Sequence, residues 1–408
     1  MAVQIANHAA TTGSPSLKTP AAPTAPAVAK PAPVKAVVAE TVVIKKKGSE
    51  VAAVIAAIKK AKGEKTIIMG NQVPDVRRIA TGLFEFDFAT GGGFPRGRYS
   101  IIYGPESSGK SNMCYLAAAT AQKGPEECNV VIWVDLEHTF DPKWAARMGV
   151  DVDRLVVVKP GYGEEAVDII DGLIHADDVA LIVVDSLAMV VSSKEVEQSV
   201  EKFDVGTASI LVKRLCNKVT IALSEEAKRD HDPAVIFVNQ TRMKIGVMFG
   251  DPETMPGGQT MKFLSSLTVR VYGKPKYIKE CGPDVPMLKE TVAVIKKAKV
   301  GIIRANFNYD MALVEHGDLS CGESDSWTLV KNELQAAGKL VKAQKGTGWV
   351  LDGKTYGTLS TIGDTYAAEK EFAMQLQAQV IALYAGQKMV LDHSEKTSLS
   401  EEEQADAQ

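Results

Sequence analysis

GPESSGKS occupies residues 104–111, directly after the apolar run SIIY at 100–103 and directly before NMCYLAAATA at 112–121. Strand, glycine-rich turn and helix, in that order, are the setting in which GxxxxGK[ST] forms a phosphate-binding loop. Gly104 and Gly109 let the backbone wrap round Pro105, Glu106, Ser107 and Ser108. The amides then face the phosphates at a helix N-terminus, where the dipole also favours anions. Lys110 is placed to reach the β- and γ-phosphates, and the Ser111 hydroxyl to coordinate Mg²⁺. The cofactors read from this stretch are therefore ATP and Mg²⁺. A glycine turn with an incidental lysine is the competing reading, and the strand before and helix after weigh against it.

Working outward, the chain from 99 to 271 alternates apolar runs with helical stretches, which predicts an α/β fold with a mostly parallel twisted sheet and helices on both faces. Strands are expected at 99–103, 130–135, 180–185 and 235–239, each ending in polar residues at the carboxyl edge where α/β sheets place their sites. Asp185, closing the run LIVV with Ser186 beside it, fits a second metal-side carboxylate, although an Asp ending a strand also serves as a helix cap. Glu137, two residues past Asp135, is placed for a hydrolytic base or for a first-turn cap. Asn239 and Gln240 are suited to sensing the γ-phosphate by hydrogen bonding, or to a turn.

Composition narrows the classes. Formal net charge is −3, so a nucleic-acid site has to be a local basic feature. Five scattered cysteines (Cys114, Cys128, Cys216, Cys281, Cys321) form no CxxC pair, which argues against a disulfide framework or a zinc site and for a reducing, cytoplasmic setting. No run reaches the roughly 18 apolar residues of a membrane span. Residues 1–48, with six lysines, one acid and many Ala and Pro, read as a disordered tail, with a transit peptide as the rival. Residues 391–408 read as an acidic disordered tail, six acids against one lysine between 392 and 408.

Between the tails, a helix is expected from Ser49, with Val51, Val54, Ile55 and Ile58 on one face and Gly63 past its end. That face packs either on its own core or on a neighbouring subunit. The segment 49–75 is taken as an oligomerisation helix and strand, 76–314 as the nucleotide-binding core and 315–390 as a small α+β domain. In the last, helices are expected at 326–337 and 366–384. Lys339, Lys342, Lys345 and Lys354 there surround Trp349 and Tyr356, a duplex-DNA face or an ordinary solvated lysine face.

One loop is chemically unusual. In FVNQTRMKIGVMFGDPETMPGG, residues 237–258, Arg242 and Lys244 can neutralise phosphates, while Met243, Ile245, Val247, Met248 and Phe249 are too apolar for an exposed loop without a partner. Apolar side chains can wedge between bases, and Gly246, Gly250, Gly257 and Gly258 let the backbone approach phosphates. A buried strand and hairpin is the other reading of the same residues.

With these segments quoted, the chain resembles the bacterial and phage RecA family of DNA recombinases over residues 49–390. GPESSGKS differs from the usual family loop only in Ser111 for threonine, residues 237–258 resemble the mobile DNA-binding loop, and DLEHTFDP at 135–142 resembles the catalytic-glutamate segment. The resemblance implies a RecA-like ATPase that polymerises as a helical homo-oligomer on single-stranded DNA, with ATP at each subunit interface. It further implies pairing with homologous duplex DNA, and loader or single-strand-binding partners.

Residue by residue, it implies that Glu137 is the catalytic glutamate and Gln240 couples the γ-phosphate to the DNA loop. Asp141 and Trp144 lie against the adenine. Lys297 and Lys299, with Lys296 as the adjoining alternative, reach the neighbour's ATP. Lys202, in the place of the second DNA loop, is a further DNA candidate, and Phe263 matches an interface aromatic. The sequence departs from the family at Val292, Ala293 and Val294, where further basic residues are usual, and at Leu264, where tyrosine is common. A helicase or translocase on the same core, and a DNA-coating filament without strand exchange, are the rival readings.

Overall fold

Apolar runs of strand length and amphipathic runs of helix length alternate through the chain, and the computed structural model shows how they pair. It describes residues 50–193, 207–243, 253–278, 285–344, 346 and 348–384. In chain order the strands are β1 (Arg78–Ile79), β2 (Phe94–Pro95), β3 (Tyr99–Gly104), β4 (Val130–Asp135), β5 (Leu155–Val158), β6 (Val179–Asp185) and β7 (Ala234–Gln240). They continue as β8 (Arg242–Met243), β9 (Glu253–Thr254), β10 (Leu267–Tyr277), β11 (Pro286–Ala298), β12 (Asn306–Ala312), β13 (Leu340–Lys342), β14 (Trp349–Leu351) and β15 (Lys354–Tyr356). The helices are α1 (Glu50–Lys62), α2 (Phe84–Thr90), α3 (Lys110–Ala121), α4 (Pro142–Arg147) and α5 (Gly163–Ile174). They are followed by α6 (Thr207–Glu226), α7 (Gly258–Leu264), α8 (Trp327–Ala336), α9 (Leu359–Ala368) and α10 (Lys370–Tyr384).

Eight strands form one sheet in the order β12-β11-β10-β3-β7-β6-β4-β5. From β10 to β5 every pairing is parallel; β11 and β12 extend the sheet antiparallel. The expected parallel core is present, β5 joins it, and the antiparallel extension past β10 lies beyond the runs picked out from sequence.

Strand periodicity of two explains the two core layers. In β4, Val131 and Trp133 face a layer shared with Met113 and Ala117 of α3, whereas Ile132 and Val134 face the layer of Val167 and Ile170 of α5 and Leu215 and Val219 of α6. Trp133 stacks on Tyr115 at 4.4 Å between ring centroids, fixing α3 and the loop before it over the sheet.

A third cluster gathers Val330, Leu334, Leu351, Ile362, Leu376 and Val380 onto Phe84 and Phe88 of α2. The helix expected at 326–337 is α8, with Ser326 at its N-cap position. The helix expected at 366–384 is instead two, because Glu369 is extended (φ −112°, ψ 98°) and breaks the chain between α9 and α10. Trp349 and Tyr356 pack half-buried against this third cluster, while Lys342 and Lys354 stand exposed. The two rings thus keep part of their surface open, and the Lys354 ammonium lies 5.1 Å from the Tyr356 ring centroid. Lys345 lies outside the described residues. Among the described residues no helix is long and apolar enough to cross a membrane.

Helix α1, whose residues 50–61 fall in a unit apart from the rest, buries no side chain and leaves Val51, Val54 and Ile58 exposed. Ser49 lies outside the described residues.

The polar stretch after α6 has a structural account. Glu226 is 1% exposed, yet its oxygens meet His175 Nδ1 at 2.7 Å, His231 Nδ1 at 2.9 Å and Arg229 Nη1 at 3.1 and 3.2 Å, while Arg229 also reaches Asp177. The end of α6 is thereby tied to the turn between α5 and β6. Burial pushes the Glu226 carboxyl up, but the hydrogen bonds with His175 and His231 and the charge of Arg229 outweigh it and hold the group below the usual carboxylate range. A depressed folded pKa stabilises fully above the unfolded value of about 4.3 and is lost as pH falls through the folded value. Glu226→Gln is therefore expected to cost roughly 1.5–3 kcal/mol at pH 7, the worth of a hydrogen bond to a charged group. Chemical denaturation of both proteins should show that gap closing below about pH 4.

Candidate functional site

The loop at 104–111 lies between the last residue of β3 and the first of α3. Gly109 takes φ +95° at the helix N-cap, a conformation open to glycine, and offers no side chain to the amides of the first turn. Those amides stay available to an anion. On the other side the wall is β10, whose Gly273 comes so close that a Cβ there would stand 2.4 Å from the Ser108 carbonyl oxygen. Ser108 is buried with its hydroxyl unpartnered among the described residues. Lys110 is also buried, its Nζ donating to the carbonyls of Pro105 at 2.7 Å and Gly104 at 3.3 Å; burial lowers its pKa against the charges of Asp185 and Glu137. A wrapped backbone, bare helix amides and an enclosed ammonium fit a polyphosphate.

The carboxylates come from neighbouring strand ends. Asp135 of β4 pairs in register with Asp185 of β6. Ser111 donates to Asp185 Oδ2 at 2.7 Å, which joins the two predicted metal-side residues. Burial pushes the Asp185 carboxyl up to about 6, against the lowering effect of that hydrogen bond. A partner cation is what would favour its charged form. The amides of Leu136 and Glu137 both donate to the Asp185 carbonyl, at 2.8 and 3.3 Å, and carry the chain over the strand end. There Glu137 Oε1 accepts from the Ser186 hydroxyl and from Gln240 Nε2, the latter at 3.0 Å. Thr241 N donates to the Gly104 carbonyl at 3.2 Å, so the end of β7 is attached to the phosphate loop itself.

Beyond Glu137, Asp135 accepts from the amides of Thr139 and Phe140 and folds the segment back. Asp141 caps α4 through Lys143 N and Trp144 N, and Trp144 Nε1 donates to Asn112 Oδ1 at 3.0 Å. Both predicted adenine-side residues thus lie beside the helix that the loop begins, with the Asp141 carboxylate engaged as a cap.

Directly after Gln240 and Thr241, Arg242 and Met243 form one strand of an exposed two-stranded ribbon, paired with Thr254 and Glu253. Its base is held by Arg270 against Glu253 and by Tyr272 Oη donating to Glu253 at 3.1 Å. Gly257 and Gly258, both at positive φ, return the chain into α7. Lys244, Ile245 and Lys202 lie outside the described residues.

Lys297 and Lys299 are not brought to the loop of their own chain. They sit at the other end of β11, donating to the carbonyls of Lys262, Phe263 and Leu264, with Phe263 exposed beside them. The structure therefore gathers Lys110, Ser111, Asp185, Glu137 and Gln240 at one edge and leaves this pair apart. Sequence reading missed Gly273, although a glycine inside a strand pattern signals close backbone approach.

Fold and site together define an α/β nucleotide-binding protein with a P-loop at the carboxyl edge of its sheet. Residues 49–312 match the family described as RecA N-terminal domain. Among named relatives, Protein RecA of Bdellovibrio bacteriovorus is 34% identical over 327 residues, covering 78% of this chain and 80% of that one. Protein RecA of Acinetobacter baylyi is 40% identical over 235 residues, 56% of this chain and 65% of its own. Protein RecA of Aquifex pyrophilus is 40% identical over 237 residues, 57% and 65% respectively. The chain belongs to the RecA family of DNA recombinases.

Proposed function

We propose that this protein is an ATP-dependent homologous recombinase: it assembles helically on single-stranded DNA, hydrolyses ATP when DNA is bound, and pairs and exchanges the strand with a homologous duplex. The observation that supports this best is the shared carboxylate of Glu137, which accepts from Gln240, two residues before the chain enters the Arg242 ribbon by way of Thr241. A group positioned to act on the γ-phosphate is thereby joined to the segment proposed to hold DNA.

In this reading the 104–111 backbone and Lys110 hold the phosphates, Ser111 and Asp185 hold Mg²⁺, and Trp144 and Asp141 flank the base. When bound, the metal supplies charge neutralisation at the β- and γ-phosphates. Glu137 accepts a proton from the attacking water, and Gln240 follows the γ-phosphate and orders Arg242, Met243, Lys244 and Ile245, with Gly257 and Gly258, on DNA. Lys202 adds a contact from the second loop. Lys297 and Lys299 serve the nucleotide of the adjacent subunit, towards which α1 and Phe263 also dock. Nucleotide and DNA then raise each other's affinity by linkage, and exchange proceeds on binding differences between states. In the C-terminal region Lys339, Lys342 and Lys354 serve a duplex, and the setting is the cytoplasm.

Strand exchange between circular single-stranded and homologous linear duplex DNA, run beside ATP turnover with and without single-stranded DNA, tests the proposal. Joint molecules dependent on ATP and homology are expected. DNA-stimulated turnover without exchange would favour a translocase, and ATP-dependent DNA coating without turnover a protective filament.

A further inference from the structure

The hairpin of β10 and β11 runs past the end of β3 and stands beside the phosphate loop. Arg270, opposite Tyr103, is the last β10 residue paired with β3, so Gly273 and everything beyond it overhang the carboxyl edge. On the partner strand, Lys289 faces Pro275 on one side and Met311 on the other. Its stem lies over the loop: a Cβ on Gly109 would stand 3.6 Å from both Cδ and Cε of Lys289. The cations around it are matched. Lys274 pairs with Glu290 at 3.2 Å, Lys276 with Asp310 at 2.5 Å and Arg270 with Glu253. Lys289 differs, since among the described residues its ammonium has no hydrogen-bond or ion-pair partner and only burial acts on it, lowering its pKa. A half-buried ammonium set against bare helix amides, with Glu253, Glu290 and Asp310 each paired to another cation, calls for an anion at that place.

We propose that Lys289 binds the α/β-phosphate portion of the nucleotide held by its own subunit, approaching from the Gly109 side of the loop. The inference rests on the ATP reading of residues 104–111 and adds a second in-chain cation to Lys110. The α- and β-phosphates are the part that a P-loop backbone cradles, so Lys289 is expected to serve ADP and ATP alike rather than to sense the γ-phosphate.

Calorimetric titration of the full chain with ADP and Mg²⁺ tests it, using native protein, Lys289→Met, Lys289→Arg and, as a reference for lost phosphate binding, Lys110→Ala. Lys289→Met is expected to weaken ADP roughly 10-fold or more, the effect of one hydrogen bond to a charged group. Lys289→Arg should stay within about threefold of native, since it keeps a cation on a similar stem. Melting without nucleotide should be unchanged in both. Native-like ADP affinity in Lys289→Met would overturn the inference and leave the ATP reading intact, the stem then merely covering Gly109. Weakened binding together with a lowered nucleotide-free melting temperature, not restored by Arg, would overturn it in favour of packing. A native chain that binds no ADP would remove the ATP reading itself.

Discussion

Glu137→Gln is expected to bind ATP and single-stranded DNA as the native protein does while its DNA-stimulated turnover falls about 10²- to 10⁴-fold, the range of a positioned general base. The amide has the shape of the carboxylate, and its oxygen can still accept from Ser186 and Gln240, the two contacts made by Glu137 Oε1. The link from the strand end to the Arg242 ribbon therefore survives. What the amide cannot do is take a proton. Phosphate release in excess single-stranded DNA measures the loss, and fluorescence anisotropy of labelled DNA with ATP measures what is kept. Turnover within about threefold of native would remove Glu137 from the chemistry; lost DNA binding would make it a positioning residue.

Gly273→Ala is expected to weaken ADP by about 10²-fold and to lower the melting temperature by several degrees. The added methyl would stand 2.4 Å from the carbonyl oxygen of Ser108. Neither side can yield cheaply, because β10 is paired with β11 at Gly273 and with β3 up to Arg270 just before it, and the carbonyl belongs to the turn that shapes the loop. Overpacking of this kind costs about 1–3 kcal/mol, and a displacement near 1 Å at a reacting site can cost about 10²-fold in function. ADP titration and thermal melting read the two effects. An alanine variant with native affinity would show that β10 does not set the loop's shape.

The nucleotide side of the site was legible because its residues close apolar strands. Asp185, Asp135 and Gln240 end β6, β4 and β7, so local pattern alone carries them to one edge. The hydrogen bonds joining Glu137 to Ser186 and Gln240 were not legible, since they depend on which strands lie side by side, and β3 lies between β10 and β7 rather than next to its sequence neighbours. Gly273 and Lys289 escaped for the same reason: each matters through a loop more than 150 positions earlier in the chain. In the C-terminal region the sequence set Trp349 and Tyr356 among lysines, and the structure packs both half-buried against the third cluster. Residue type gave their chemistry, and packing decided their exposure.

β11 has a further consequence. Lys289 and Lys297 lie eight residues apart on it, about 26 Å at 3.3 Å per residue. The strand is hydrogen-bonded to β10 along most of that span and to β12 as far as Val294, so it stretches little. In the proposed assembly one end touches the subunit's own nucleotide and the other its neighbour's. Each subunit then acts as a strut of fixed length between successive ATP molecules, and a row that lengthens or shortens with nucleotide state has to do so at its joints.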